Sequence, residues 1–240
     1  MNSEQQDKIS LSRISGRIRK SANNQMKKII IIGAGGHAAE IRDYIEHYNN
    51  AVTTEKQLTV VGFLDDNENN YKAYDFKEPF LGTIKDHEVQ KDAAYLMGIA
   101  NIKYRRPIVS TLIDNGAQFA TLIHPSAIIS PSAEIGAGSV ISHNASVGPK
   151  AHIGKFNMLN SRCTIGHDTQ MGDFNFIGPQ VVMSGFTKIG NDNMFGVNAA
   201  TIPAIEVGNN NTIAAGMILT KNVQDNETHF FRYKEKIVIT

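Results

Sequence analysis

The sequence predicts an α/β N-terminal domain followed by an all-β solenoid, in which short parallel strands wind into three-sided coils. Three observations predict it. Apolar residues recur at every sixth position from Ile123 to Gln224, without an inserted or missing residue. Upstream, β-branched runs alternate with helix-like stretches. Between the first run and the first helix lies Gly33-Ala34-Gly35-Gly36-His37-Ala38.

Taken in chain order, residues 1–25 are polar and carry only Leu11, Ile14 and Ile18 as a thin apolar stripe, too little for a core. They are expected to be a disordered extension, and Met26-Lys27-Lys28-Ile29 looks like a natural start. Residues 26–122 read as a small Rossmann-like parallel sheet. Lys28–Ile32 is a strand, and the helix after it runs through Tyr48 with Ile41, Tyr44, Ile45 and Tyr48 on one face. Thr59–Leu64 and Ala94–Ile99 are further strands, a helical segment follows Pro107, and Gln118–Ile123 is the last strand. Alternation of this kind places a ligand at the strand C-termini.

Residues 123–224 form seventeen hexads. Their opening positions run Ile123, Ile129, Ile135, Ile141 and onward, and only Thr201 is not apolar. Neither a helix nor a plain strand has a period of six, but a short strand with a tight corner does, and three such sides close an eighteen-residue coil. The glycine that often follows the apolar residue, as at Gly136 and Gly172, is expected to help the corner turn. The fifth position is usually small, as at Ala145 and Cys163, and should also face inward. Residues 225–240 are left as a C-terminal tail.

Composition narrows the function. A net charge of +1 with 20% charged residues gives no argument for nucleic acid. A single cysteine excludes an internal disulfide and suits a reducing cytoplasm. There is no apolar run long enough for an integral membrane segment. No cluster has zinc-ligand spacing, so no metal is expected.

Three segments can carry chemistry. Gly33-x-Gly35-x-x-Ala38 lets a phosphate approach backbone N–H groups at a helix start, or it simply packs helix on strand. A domain of about 95 residues suits one mononucleotide better than a dinucleotide, which argues against an NAD enzyme. Asp65 and Asp66 end the second strand, where they either bind a base or ribose or serve as turn residues. Arg105 and Arg106 either reach a diphosphate or lie solvated. In the repeats, His143 and His167 both occupy third positions, outside the core and on adjacent faces. Asp168 follows His167, and a carboxylate beside an imidazole can orient it as a general base. His124 and His152 read as surface or turn residues.

Lys27-Lys28 through Ala38, Gly62-Phe63-Leu64-Asp65-Asp66, Leu122-Ile123-His124-Pro125 and Ile165-Gly166-His167-Asp168 together resemble the hexapeptide-repeat, left-handed β-helix sugar O- and N-acetyltransferases. That group includes sialic acid O-acetyltransferase and the N-acetyltransferases of nucleotide-linked 4-amino sugars. The resemblance covers residues 26–224. It implies a left-handed coil, a homotrimer, and acetyl-CoA in the groove between neighbouring solenoids, beside Phe176, Gly178, Gly196 and Gly216. It implies that His167 is the general base and Asp168 its acidic partner. Gly33, Gly35, Gly36, His37, Asp65 and Asp66 fall on nucleotide-binding positions, and Asn160 matches an active-site asparagine. Two features depart from the pattern. Phe176 stands where many relatives carry a second histidine, and Thr228-His229-Phe230-Phe231-Arg232-Tyr233 replaces a glycine-proline-alanine close, so Phe231 or Tyr233 is expected to stack on adenine. The expected reaction is acetyl transfer from acetyl-CoA to the amine of a nucleotide-linked 4-amino sugar. O-acetylation of sialic acid or a related sugar is the alternative, and a non-catalytic solenoid scaffold the reading of another class.

Overall fold

A computed structural model describes residues 26–231. The expectations for residues 1–25 and for Arg232, Tyr233 and the tail beyond them lie outside the described residues, whereas Phe231 is described and exposed.

The α/β unit is built on strand β1 (Lys28–Ile32), whose four isoleucines are fully buried because β1 lies inside the sheet with both faces covered. The sheet order is β2-β1-β3-β4, all parallel, with β2 Thr59–Leu64, β3 Ala93–Met97 and β4 Gln118–Phe119. Helix α1 (Gly36–Ala51) buries Ala38, Ile41, Tyr44 and Ile45, one stripe at helical spacing. Helix α2 (Glu68–Lys72) is a short connector capped by the Asn67 side chain.

Two expected boundaries move. Helix α3 runs Ile102–Asp114 and so begins before Pro107, because the Asn101 side chain accepts the Lys103 N–H and starts the helix there. The segment expected as one strand, Gln118–Ile123, is split between two sheets. Phe119 pairs with β3, whereas Leu122–Ile123 pairs with Val140–Ile141, eighteen residues on.

From Leu122 the chain is a β-solenoid of two-residue strands at the sixth and first hexad positions. Strands up to Leu219 pair in parallel with the one eighteen residues later, as Met158–Leu159 does with Phe176–Ile177. The last coil is two residues short: Thr212–Ile213 pairs with Thr228–His229 and Val207 with Val223, so the expected unbroken hexad register to Gln224 ends after Leu219. Three sheets result. Face I begins at Leu122–Ile123, face II at Ile128–Ile129 and face III at Glu134–Ile135. First-position residues such as Ile141, Ile165 and Phe195 fill the interior with Ala145, Cys163 and Ala199. Burial pushes the Cys163 thiol up to about 12, which marks a packed core thiol and not a nucleophile. The coil has the left hand implied by the family resemblance.

The second-position glycines do not make the corners. From Gly138 to Gly216 the residue at every fourth position has a left-handed φ of 55° to 74°, and most of these residues are not glycine. Each such L-residue costs roughly 1–2 kcal/mol. The cost is offset by a backbone bond to the coil before: Asp168 N–H donates to Pro149 O, and Phe186 N–H to His167 O. The second-position glycines serve coil stacking instead. A Cβ on Gly136 would lie 2.4 Å from Gly154 O, and one on Gly172 2.8 Å from Gly190 O.

The fifth position holds a further device, because after Ser139 asparagine replaces the small residue on one side of four successive coils. Asn157, Asn175, Asn193 and Asn211 are fully buried and stacked at eighteen-residue spacing. Each Oδ1 from Asn157 to Asn193 accepts the backbone N–H of the next asparagine, and Asn211 Oδ1 accepts that of Glu227. The ladder satisfies buried backbone groups that an alanine would leave unpaired.

Outward sixth-position residues give each face its own character. On face I, Leu122, Val140, Met158 and Phe176 are apolar and pack under Ile41, Tyr44 and Ile45 of α1. On face II they are Ile128, Ser146, Thr164, Val182, Ala200 and Ile218, small or apolar and substantially exposed at Ile128 (74%) and Ile218 (53%). On face III they are Glu134, His152, Gln170, Lys188 and Glu206, with ion pairs between His152 and Glu134 and between Lys188 and Glu206.

The α/β unit is fastened to the corner between faces III and I by α3. Arg105 is buried, and its guanidinium donates to the carbonyls of Phe156 and Asn175. Burial lowers its pKa to about 10. Arg106 pairs with both oxygens of Asp192 and lies 4.1 Å over the Phe174 ring. Both arginines offered for a diphosphate are spent on this junction.

Candidate active site

His167 and Asp168 occupy the third and fourth positions of a hexad, at the corner where face II (Thr164–Ile165) turns into face III (Gln170–Met171). The left-handed step at Asp168 (φ 56°) brings its carboxylate back beside the preceding ring. His167 Nδ1 lies 2.9 Å from Asp168 Oδ2, and the imidazole is half exposed. A proton shared with a carboxylate at Nδ1 leaves the Nε2 lone pair outward, the arrangement of a general base.

The next coil supports the ring. A Cβ on Gly185 would stand 2.7 Å from both Cε1 and Nε2 of His167 and 3.1 Å from Nδ1, so the imidazole face rests on bare glycine backbone. Phe186 meets the ring at 5.1 Å with perpendicular planes. Neither residue was singled out in the sequence. The signal was present, since Gly185 holds the same third position one eighteen-residue coil after His167.

The glycine turn sits at the C-terminal end of β1. Gly33 has φ +96°, and a Cβ there would press Ile99 and Gly98. Gly35 caps α1 without a side chain, the first turn has no acidic residue, and a Cβ on Gly35 would meet nothing within 4 Å. Open helical N–H groups of this kind suit an anion. The Tyr74 hydroxyl lies over Gly36, 2.7 Å from where its Cβ would be. His37 Nδ1 is 3.1 Å from Glu40 Oε2, and its buried Nε2 has no partner among the described residues. That hydrogen bond, more than the charge itself, holds the Glu40 carboxyl below its usual range.

The two acidic candidates are committed to backbone. Asp65 is buried, its Oδ2 accepting the Ala34 N–H of the glycine turn and its Oδ1 the Asn67 N–H. Asp66 Oδ1 accepts the N–H groups of Ile84 and Lys85. Each therefore shapes the strand-end loops directly.

Asn160 is buried, with Nδ2 donating to Ile177 O. Phe176 is half-buried on face I, its ring 6.3 Å from His37. Gly178 and Gly196 give clearance between coils, since a Cβ on either would stand 2.6 Å from backbone. Gly216 is an open corner at φ +71°. Asn160, Gly178, Gly196 and Gly216 all follow face I strands and line the face I/II corner. His167 and Asp168 line the face II/III corner. A single chain thus holds the two sets on opposite edges of face II.

His124 is not an ordinary surface residue. It is buried among His47, at 5.1 Å, His143, at 5.9 Å, and Tyr44, at 5.3 Å. Burial, then the charges of His47 and His143, push its pKa down to about 4. These residues line a cleft of about 440 Å³ with Glu40 and Asp43 between α1 and the solenoid. His152 is exposed on face III, as expected, beside a wider groove of about 700 Å³ that holds none of the candidate residues. Among the described residues, no group of three or more His, Cys, Asp or Glu is arranged to hold a metal, and no helix is long and apolar enough to cross a membrane.

Comparison with known proteins accounts for both parts of the chain. Residues 28–112 match the PglD N-terminal domain. The chain is 34% identical over 120 residues to the UDP-N-acetylbacillosamine N-acetyltransferase of Bacillus subtilis, a match covering 48% of this chain and 51% of that protein, so it spans about half the length of this curated relative. Among solved structures, the acetyltransferase domain of PglB from Neisseria gonorrhoeae in complex with acetyl coenzyme A has TM-score 0.76 and 28% identity, covering 85% of this chain and 96% of that one. PerB from Caulobacter crescentus in complex with CoA and GDP-perosamine has TM-score 0.71 and 22% identity, covering 85% and 94%, a likeness of fold. The chain is an α/β unit followed by a β-solenoid, similar in fold to these structures over both of its parts.

Proposed function

We propose that this hexapeptide-repeat solenoid is an acetyl-CoA-dependent N-acetyltransferase that acts on the amino group of a nucleotide-linked 4-amino sugar. The observation that carries the reading is the 2.9 Å His167–Asp168 pair at an exposed corner, Nδ1 engaged and Nε2 outward. The relatives named above support the donor and the acceptor class.

Acetyl-CoA supplies the acetyl group as a thioester. His167 Nε2 takes the proton released as the amine forms its bond to the acyl carbon. As the C–S bond breaks, the imidazolium returns that proton to the departing thiolate, so that CoA leaves as the thiol. Asp168 fixes the tautomer and stabilises the imidazolium. The Gly185 N–H, which has no acceptor among the described residues, is the backbone donor at this corner that would hold charge on the acyl oxygen. Gly33, Gly35 and Gly36 present the start of α1 to the phosphates, with Asp65 and Asp66 fixing the loops around that site. His37 and Phe176 lie between this cradle and Asn160. The glycine turn favours a nucleotide-linked acceptor over free sialic acid, because a free sugar carries no diphosphate.

A homotrimer completes the site. Face II carries small or apolar side chains that no described residue is shown to cover, and its two edges carry complementary halves: His167 and Asp168 on one, Asn160, Gly178, Gly196 and Gly216 on the other. Copies packed around face II set one chain's dyad beside the next chain's glycine-lined edge, with acetyl-CoA between them. The test is thiol release from acetyl-CoA with UDP-, GDP- and dTDP-linked 4-amino sugars. His167→Ala should lower kcat about 10²-fold with KM nearly unchanged. Parent-like turnover in that variant would remove the general base from the proposal.

A further inference from the structure

Phenylalanine takes the left-handed fourth position three times, at Phe156, Phe174 and Phe186, with φ of 57°, 61° and 61°. The first two are explained by packing. Their rings stack at 4.8 Å, both are buried, and Arg106 covers Phe174. Phe186 belongs to the face II/III corner, away from the α/β unit, and is 56% exposed. An aromatic ring left in solvent, on backbone that asparagine or glycine adopts more readily, gains little for folding. Its contact is the His167 ring, edge to face at 5.1 Å.

Resting on the acyl-transfer reading above, we propose that Phe186 is a positioning residue for His167. Three neighbours then define the imidazole: Asp168 holds Nδ1, Gly185 lies under the ring face, and Phe186 closes one side against rotation and water. Only the Nε2 edge stays open. Without the phenyl ring, His167 is free to swing from Asp168 and to sample the other tautomer, so fewer molecules hold the base in its working orientation.

The variants are Phe186→Asn, which relieves the left-handed backbone, and Phe186→Tyr, which keeps the ring. Phe186→Asn should melt at the parent temperature or higher, yet lose about tenfold in kcat with KM for both substrates within twofold. Phe186→Tyr should retain the parent kcat. Nitrogen NMR of the substrate-free protein should show a single Nδ1–H tautomer of His167 in the parent and in Phe186→Tyr, and a mixture in Phe186→Asn. Parent-like kcat and tautomer in Phe186→Asn would overturn the proposal. So would a loss of melting temperature or of assembly that tracks the loss of activity, since that would make Phe186 a packing residue. An inactive parent whose His167 tautomer still responds to Phe186→Asn would fault the reaction and leave the ring contact standing.

Discussion

Gly185→Ala isolates the geometry of the dyad from its chemistry. The added Cβ would sit 2.7 Å from Cε1 and Nε2 of His167, where ordinary contact begins at 3.4 Å, so the ring must retreat by about 0.7 Å. Its similar approach to Nδ1, 3.1 Å, places the methyl under the ring face rather than at its edge. A lift along that direction lengthens the 2.9 Å bond to Asp168 by only about 0.1 Å, but it carries Nε2 the full 0.7 Å off line. Misplacements near 1 Å cost about 10²-fold in catalysis, so a fall of 10- to 100-fold in kcat is expected. Gly185 does not have a left-handed φ, its N–H survives, and the three atoms nearest the added methyl all belong to a movable side chain. The melting temperature should therefore barely change. A useful contrast is Gly148→Ala, whose Cβ would strike the backbone N of His167 at 2.7 Å and should cost stability first. Steady-state thiol release with thermal melting measures both. If Gly185→Ala turns over within twofold of the parent on an intact fold, the imidazole is not held against this glycine and the geometry argued here is wrong.

Asn175→Ala should destabilise the protein by about 3–6 kcal/mol in urea unfolding, because it strands the Asn193 N–H, one Asn193 amide proton and Gly190 O in a buried site. A change below 1 kcal/mol would deny the ladder its role. Gly35→Ala should leave melting unchanged, as a Cβ there meets nothing within 4 Å, yet weaken nucleotide-sugar binding at least tenfold by calorimetry. Equal affinity would move the phosphates away from this turn. Stability should also fall as pH drops from about 6.5 to about 4. His124 stays neutral in the folded protein down to about 4, so the unfolded chain, titrating near 6.5, takes up its proton first. His124→Gln should flatten that part of the melting-temperature profile, and an unchanged slope would assign it to other groups.

The six-residue period was legible because burial acts on single positions: whatever stands first in a hexad faces the interior, so Ile141 or Ile165 reports its place directly. Strands β1 and β2 were readable to the residue for the same reason, each an apolar run ending at a turn signal. What stayed hidden depends on relations between coils. The asparagines of the ladder look like surface polar residues until an eighteen-residue spacing stacks them. The second-position glycines looked like turn formers, but their need for clearance arises only from the coil beside them. Arg105 and Arg106 resembled phosphate ligands because no local pattern shows that α3 will press onto Phe156 and Phe174. The dyad was legible as neighbours in sequence, whereas Gly185 and Phe186 required the coil to be closed first.

The position of the dyad follows from what each hexad place is free to do. First and fifth residues are fixed in the interior, and sixth residues are held at the strand, so only the corner positions project a side chain from a rigid backbone. There are three corners per coil. The face III/I corner is occupied at Phe156, Phe174 and Asp192 by α3. The face I/II corner is flanked by α1 through Tyr44 and His47 against His124 and His143. Among the described residues, only the face II/III corner has no contact given with the α/β unit, and it is also an edge of face II. There the His167 carbonyl accepts the Phe186 N–H and the Asp168 N–H donates to Pro149, so the backbone is tied to the coils on both sides while the imidazole stays half exposed. On the reading proposed above, a base that meets substrate carried by another copy needs a corner of this kind, and His167 stands on it.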